Sequence, residues 1–179
     1  MAEAFSNKLT RAAGIVTTSS SGAVGIGTTI ITGISTVGVA VSDLVDNTNF
    51  IAGTKVSAIG INTVYADRDS TNTAAASAQV FKFLGMTTAY TSAAATKSIL
   101  IGGTFANNTA NSVNLTIEVH DTSAGIQAAL ASKIPVPTGS SFVISDAGKT
   151  ILEATDEVRV FCDTANAIDV NLSILTGVS

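Results

Sequence analysis

The chain has few side chains that could carry out nucleophilic or acid–base chemistry. Its only histidine is His120, among 179 residues. A hydrolytic triad needs a histidine in a pocket, with an activated serine and an orienting carboxylate beside it. His120 lies in a stretch where polar and apolar residues alternate, which places it on the polar, solvent-exposed face of a strand beside Glu118. We therefore predict no catalytic residues and no enzymatic activity.

The acidic residues do not form a recognisable catalytic or metal-binding motif either. A glycosidase needs two carboxylates across one cleft, whereas Glu153, Asp156 and Glu157 lie at a predicted hairpin turn. Residues 67–72 place oxygen ligands at short spacing but lack the glycine and distal glutamate of an EF-hand loop. We predict a polar turn there, with a calcium site as the alternative, and no zinc site, because the chain has one histidine and one cysteine.

The remaining motifs predict neither a cofactor site nor a reactive thiol. Residues 25–30 contain two glycines but lack the third glycine of a dinucleotide-binding loop, and no glycine loop is followed by Gly-Lys-Ser/Thr. Cys162 alternates in register with Val158 and Val160. We expect it to be a small buried apolar residue.

Composition points to protein partners rather than to nucleic acid or lipid. Hydrophobic residues make up 46% of the chain and charged residues 12%, against about 25% charged in typical globular proteins. The formal charge of −4 repels phosphate. No stretch approaches the roughly 18 apolar residues of a membrane helix, and the first residues do not resemble a secretion signal. Few charges protect the surface of a free monomer, so we expect a homo-oligomer that works by packing.

The first 22 residues are predicted to form an N-terminal arm and linker. Phe5, Leu9 and Ala12 or Ala13 have helical spacing, and Gly14 could end the helix. A helix this short is marginal alone in water, so its apolar stripe must dock on something. We predict assembly contacts at Phe5, Leu9, Ile15 and Val16.

Residues 23–86 are predicted to form a small β domain that attaches the chain to its neighbours. Glycine, asparagine and aspartate divide this region into short runs rich in β-branched residues. The candidate strands span residues 24–34, 37–44, 50–59, 63–67 and 79–84.

Residues 87–179 are predicted to form an antiparallel β-sandwich of jelly-roll or Greek-key type, so the whole chain is all-β apart from its arm. After a connector at 87–96, strict alternation marks residues 112–121 and 167–174 as half-buried strands. We expect the two prolines on an edge strand or its flanking turns. The other candidate strands span 97–105, 128–136, 141–144, 150–153 and 157–162, with turns at 107–108, 121–125, 135–139, 146–148 and 163–166.

Several segments resemble structural proteins of cyanobacterial tailed phages. They are residues 23–33 (AVGIGTTIITG), 50–60 (FIAGTKVSAIG), 67–72 (DRDSTN), 97–107 (KSILIGGTFAN) and 148–154 (GKTILEA). The resemblance implies a virion protein without catalytic residues, located in the particle.

From this resemblance and the low charge we expect a non-enzymatic capsid decoration protein that contacts capsid or neck and tail proteins, with a trimer as a candidate oligomer. One alternative is a neck, tail or baseplate protein. Another is a module that binds host-surface glycans, which would need exposed aromatic or polar clusters at loop tips. Aromatic residues are 5% of the chain and tryptophan is absent.

Overall fold

The computed structural model describes residues 3–145 and 149–178, and the regular elements in these ranges are all β-strands that pair antiparallel. The predicted all-β class is confirmed. None of the described residues forms a helix long and apolar enough to cross a membrane. The strands are β1 (Ala4–Ala13), β2 (Ile15–Val24), β3 (Ile30–Thr32), β4 (Leu44–Asp46), β5 (Val56–Gly60), β6 (Thr63–Ala66), β7 (Ala76–Gly85), β8 (Thr87–Thr91), β9 (Lys97–Asn107), β10 (Val113–Asp121), β11 (Ile126–Val136), β12 (Ser141–Ile144), β13 (Thr150–Leu152), β14 (Glu157–Cys162) and β15 (Ile168–Val178).

The chain divides into two compact units, each with its own core. Unit 1 contains residues 1–14 and 87–179, and unit 2 contains residues 15–86. The predicted N-terminal helix is wrong, because residues 4–13 and 15–24 are strands β1 and β2. The flexible linker predicted up to residue 22 is also wrong, because it lies within β2.

Long-range pairing explains why the helix prediction failed. Phe5 and Leu9 are four residues apart, and this spacing puts two side chains on one face of either a helix or a strand. Strand β1 pairs with β15 from Ala4 opposite Thr176 onward, while β2 pairs with β7. Gly14, predicted to end a helix, instead joins the two strands with a φ of +120°, which side chains other than glycine rarely adopt.

Unit 1 contains two sheets whose inward residues share one core. Sheet 1 has the order β1-β15-β9-β12, and β13 pairs with the same edge of β9 as β12; sheet 2 has the order β11-β10-β14-β8. Alternation sends every second side chain inward. Fully buried members of the shared core come from both sheets: Phe105, Ile168, Leu172 and Ile174 from sheet 1, and Leu115, Ile117, Val158 and Val160 from sheet 2.

Each candidate strand predicted between residues 97 and 174 is a strand of the structure. Cys162 is fully buried, as predicted from its register. The two prolines also lie where expected, since Pro135 is in the edge strand β11 and Pro137 follows it. The predicted connector at 87–96 is wrong in part, because it contains β8. The turn predicted at 146–148 lies outside the described residues.

Unit 2 is built on one sheet, sheet 3, with the order β4-β7-β2-β3-β6-β5. Three phenylalanines anchor its core: the ring of Phe81 lies 6.4 Å from that of Phe50 and 6.5 Å from that of Phe83. The strands predicted at 24–34 and 50–59 are shorter than expected, and the strand predicted at 37–44 is wrong except for Leu44, where β4 begins. Only β3, β4 and β5 form there, because turns closed by backbone hydrogen bonds interrupt them, such as Val39 N–H to the Thr36 carbonyl.

Candidate assembly surfaces

The outer face of sheet 1, which points away from the core of unit 1, carries an unbroken row of apolar side chains. Phe5 of β1 lies opposite Leu175 of β15, Leu175 lies opposite Ile99 of β9, and Ile99 lies opposite Ile151 of β13. Phe5 is 77% exposed and Ile151 is 60% exposed, while Leu175 and Ile99 are half-buried. We call these four residues the outer row.

A second row crosses the same face further along the strands. Leu9 lies opposite Asn171, Asn171 lies opposite Thr104, and Thr104 lies opposite Val143 of β12. Its two ends are apolar and exposed, with Leu9 73% and Val143 52% exposed, and its middle is polar but uncharged. A groove of about 320 Å³ runs beside this row and is lined by Leu9, Arg11, Thr104, Ala106, Asp169 and Asn171.

Charged side chains on this face lie at its two ends and include both signs. At one end the ammonium of Lys97 is 2.9 Å from the carboxylate of Glu153. At the other end are Arg11 and Asp169. The middle of the face, including both rows, is formed by apolar and neutral polar side chains.

The pKa of Asp169 is lower than that of an ordinary aspartate. The largest cause is the hydrogen bond that the backbone N–H of Ala12 donates to its Oδ1 at 2.9 Å. The side chain of Asn108 and the positive charge of Arg11 act in the same direction, while partial desolvation opposes them. Asp169 therefore stays ionised at neutral pH and ties the end of β1 to β15.

Unit 2 exposes apolar side chains of its own on the strands β3 and β6. Ile30 of β3 lies directly opposite Tyr65 of β6, and both point away from the core residues Ile31 and Val64. Ile61 is 93% exposed in the two-residue turn that joins β5 to β6. We call Ile30, Ile61 and Tyr65 the unit 2 patch.

The four predicted assembly contacts do not form one helical stripe. Phe5 and Leu9 lie in the outer and second rows of sheet 1. Ile15 is 52% exposed and Val16 is half-buried, and both lie in β2 of unit 2. Their role as assembly contacts stays a prediction.

Sequence reasoning missed the partners of Phe5 in the outer row. Ile99, Ile151 and Leu175 each lie in a segment that was predicted to be a strand or directly follows one. Alternation could have placed each of them on the outward face of its own strand. It could not reveal that the four residues are in register, because the register depends on which strands pair.

The only histidine lies in a charged cluster on the outward face of sheet 2. His120 and Glu118 of β10 lie opposite Glu157 and Arg159 of β14, respectively. Arg159 Nε donates to Glu157 Oε2 at 2.7 Å, and His120 Nδ1 is 3.8 Å from the same oxygen. The polar-face position predicted for His120 is confirmed. Its predicted solvent exposure is wrong, because only 16% of its side chain is exposed.

This cluster lacks the geometry of a triad. The carboxylate oxygen of Glu157 nearest to His120 is already bonded to Arg159, and 3.8 Å is too long for a hydrogen bond that orients an imidazole. The neighbouring Asp121 has a lowered pKa, chiefly because the backbone N–H of Ala124 and then the hydroxyl of Ser123 donate to it. These bonds build the turn predicted at residues 121–125.

The acidic residues considered as candidate sites have structural partners. The carboxylate of Asp156 accepts hydrogen bonds from the backbone N–H groups of Glu153 and Thr122. Asp67 accepts one from the backbone N–H of Lys55 at 2.8 Å. Across residues 3–145 and 149–178, no three His, Cys, Asp or Glu side chains are grouped so that they could hold a metal ion.

No protein-family model matches the chain, and no curated protein sequence or solved structure matches it either.

Proposed function

We propose that the chain is a non-enzymatic structural subunit of a tailed-phage virion, and that it decorates the capsid by packing against other copies and other virion proteins. One observation carries the proposal: each of the two units exposes large apolar side chains at defined strand and turn positions. Ordered apolar surface that a monomer leaves in water marks a protein interaction site.

The surface chemistry of the chain supports this proposal. Charged residues make up 12% of the sequence, so few charges oppose association between copies. The outer row and the unit 2 patch lie on different units, which suits a subunit that must hold two neighbours. We assign the unit 2 patch to attachment to the capsid, with Ile61 as its most exposed side chain.

The phage assignment itself depends on the resemblance of residues 23–33, 50–60 and 97–107 to cyanobacterial phage structural proteins. Together with the phage assignment, we propose that unit 1 is a β-sandwich of jelly-roll or Greek-key type. Its two sheets share one core, and β1 and β15 are neighbours although they come from opposite ends of the chain. Long connections between neighbouring strands are typical of Greek-key folds.

Fractionation of purified particles tests the proposal. Particles of the phage that encodes the chain are separated into heads and tails, and peptides of the chain are quantified in each fraction by mass spectrometry. We expect the chain in the head fraction, and gold-labelled antibody should bind the outside of the head. Copies confined to the tail fraction would favour a neck, tail or baseplate subunit, and absence from particles would overturn the virion assignment.

A variant pair tests the assigned attachment site. Ile61→Asp places a charge at the tip of the β5–β6 turn, and we expect it to reduce the number of copies per particle at least tenfold. The matched control is Ile126→Asp, which changes a 64% exposed isoleucine in unit 1 and should leave the copy number unchanged. Equal occupancy by both variants would remove the unit 2 patch from the proposal.

A further inference from the structure

We propose that the outer face of sheet 1 is the contact between two copies of this chain, which stack face to face about a twofold axis parallel to the strands. The inference rests on the proposed function and deepens it by naming one partner and the surface that binds it. The outer row, the second row and the groove beside Leu9 carry the inference.

The size of the face suits a dimer contact. The face is formed by β1, β9 and β15, which are 10 or 11 residues long, and by the shorter β12 and β13. At about 4.8 Å between strands and about 3.4 Å per residue, the backbone of these strands covers roughly 640 Å², and protruding side chains add to this area. A specific protein interface buries about 800 Å² on each partner. The face is therefore large enough for one copy of the same sheet, packed at the about 10 Å separation of aligned sheets.

The order of residues within each row selects the symmetry axis. A twofold axis parallel to the strands reverses the order of the strands but keeps each row opposite the same row of the other copy. Phe5 then faces Ile151 of the second copy, and Leu175 faces its Ile99. Every contact between the two outer rows is apolar.

The same twofold axis places the second rows of the two copies opposite each other. Leu9 faces Val143 of the other copy, so that Val143 enters the groove that Leu9 lines, and Asn171 faces Thr104, with which its amide can hydrogen-bond. An axis perpendicular to the strands would instead bring the outer row of one copy onto the second row of the other, so that Leu175 would face Asn171 and Ile99 would face Thr104. That arrangement would bury polar side chains against apolar ones without hydrogen-bond partners, which is costly.

The charges of the face also favour a second copy over a strongly charged partner. Lys97 is neutralised by Glu153 of its own chain at 2.9 Å, and Arg11 lies at the same end as Asp169. Two such faces therefore do not repel each other, and neither attracts a highly charged surface.

Self-association of the purified full-length chain tests the contact. We expect sedimentation equilibrium to give a reversible dimer, and Phe5→Asp or Ile151→Asp to raise its dissociation constant at least about tenfold, because each variant removes a buried apolar side chain. Ile126→Asp is the matched control, since it changes an exposed isoleucine in sheet 2, and it should leave the constant unchanged. Circular dichroism must show that each variant is folded.

Cysteine cross-linking tests the axis. A short bismaleimide cross-linker can span the about 10 Å between facing sheets, which is too far for a direct disulfide. It should join two chains of the double variant Phe5→Cys/Ile151→Cys but not of either single variant, because in the proposed dimer each position faces the other one. Cys162 is fully buried and should not react. A cross-linked dimer of either single variant would overturn the proposed axis.

A wild-type chain that stays monomeric at about 100 μM would overturn the contact. So would an Ile126→Asp variant whose dimer dissociation constant rises as much as that of Phe5→Asp or Ile151→Asp. These results would leave the virion assignment standing if the chain is found in particles. If the dimer behaves as expected but the chain is absent from particles, the proposed function is overturned and the dimer contact stands.

Discussion

At the scale of single residues, the charges of unit 1 differ in how far they are removed from water. Arg159 and Glu157 are mostly buried, with 11% and 22% of their side chains exposed, and their closest atoms are 2.7 Å apart. Lys97 and Glu153 form a pair of similar length, 2.9 Å, but half of each side chain is in solvent. A buried charge that loses its partner costs much more than an exposed one.

We predict that Glu157→Gln lowers the unfolding free energy of unit 1 by about 2 kcal/mol, because the buried guanidinium of Arg159 then donates to a neutral amide oxygen and loses its opposite charge in a largely dry environment. The matched control is Glu153→Gln, for which the expected change is within about 0.5 kcal/mol because solvent screens the exposed pair. Urea unfolding followed by circular dichroism measures both. Equal effects of the two substitutions would contradict the burial argument.

At the scale of elements, Gly22 of β2 leaves free the space that the ring of Phe81 in β7 occupies. A Cβ atom at this position would lie 2.5 Å from Cδ2 and 2.6 Å from Cε2 of Phe81. The Phe81 ring is fully buried between the rings of Phe50 and Phe83, so it has little room to move. The packing of the unit 2 core therefore requires a residue without a side chain at position 22.

We predict that Gly22→Ala destabilises unit 2 by about 1–3 kcal/mol through overpacking. Gly60→Ala is the matched control, since a Cβ atom there would make ordinary contacts of 3.5 to 3.8 Å. Its unfolding free energy should stay within about 1 kcal/mol of the wild type. Equilibrium denaturation measures the unfolding free energy of both variants. An unfolding free energy of Gly22→Ala equal to that of the wild type would mean that Phe81 repacks without cost.

At the scale of the whole molecule, residues 3–14 complete a sheet whose other strands lie far along the chain. Strand β1 forms an edge of sheet 1 by pairing with β15. Ala13 is fully buried in the core of unit 1, and the Gly14 carbonyl accepts a hydrogen bond from the backbone N–H of Asn166 at 2.9 Å. This segment is part of a sheet and not an arm that can be removed from it.

We predict that deleting residues 1–13 lowers the stability of unit 1 by roughly 4 kcal/mol or more, because a ladder of backbone hydrogen bonds and one buried residue are lost together. Such a loss is a large part of the about 5–15 kcal/mol that holds a domain folded. Hydrogen exchange should show faster exchange in β15 and β9. Unit 2 begins at Ile15, so unchanged protection in β7 is the internal control, and unchanged protection in β15 would show that β1 is dispensable.

The sequence by itself determined the all-β class and the strands between residues 97 and 174. Strict alternation in residues 112–121 and 167–174 has no competing helical interpretation, and turn residues mark both ends of those segments. The burial of Cys162 followed from the same two-residue alternation. These features depend on the local chain, in which neighbouring side chains of a strand must point to opposite faces.

Only the tertiary structure decided where the first 24 residues belong and which exposed residues share a surface. The four-residue spacing of Phe5 and Leu9 satisfies helix and strand equally, and pairing with β15 selected the strand. Phe5, Leu175, Ile99 and Ile151 come from four separate segments, and they form a row only through the register of three strand pairs. Register is set by contacts between segments far apart in the chain, so no local pattern encodes it.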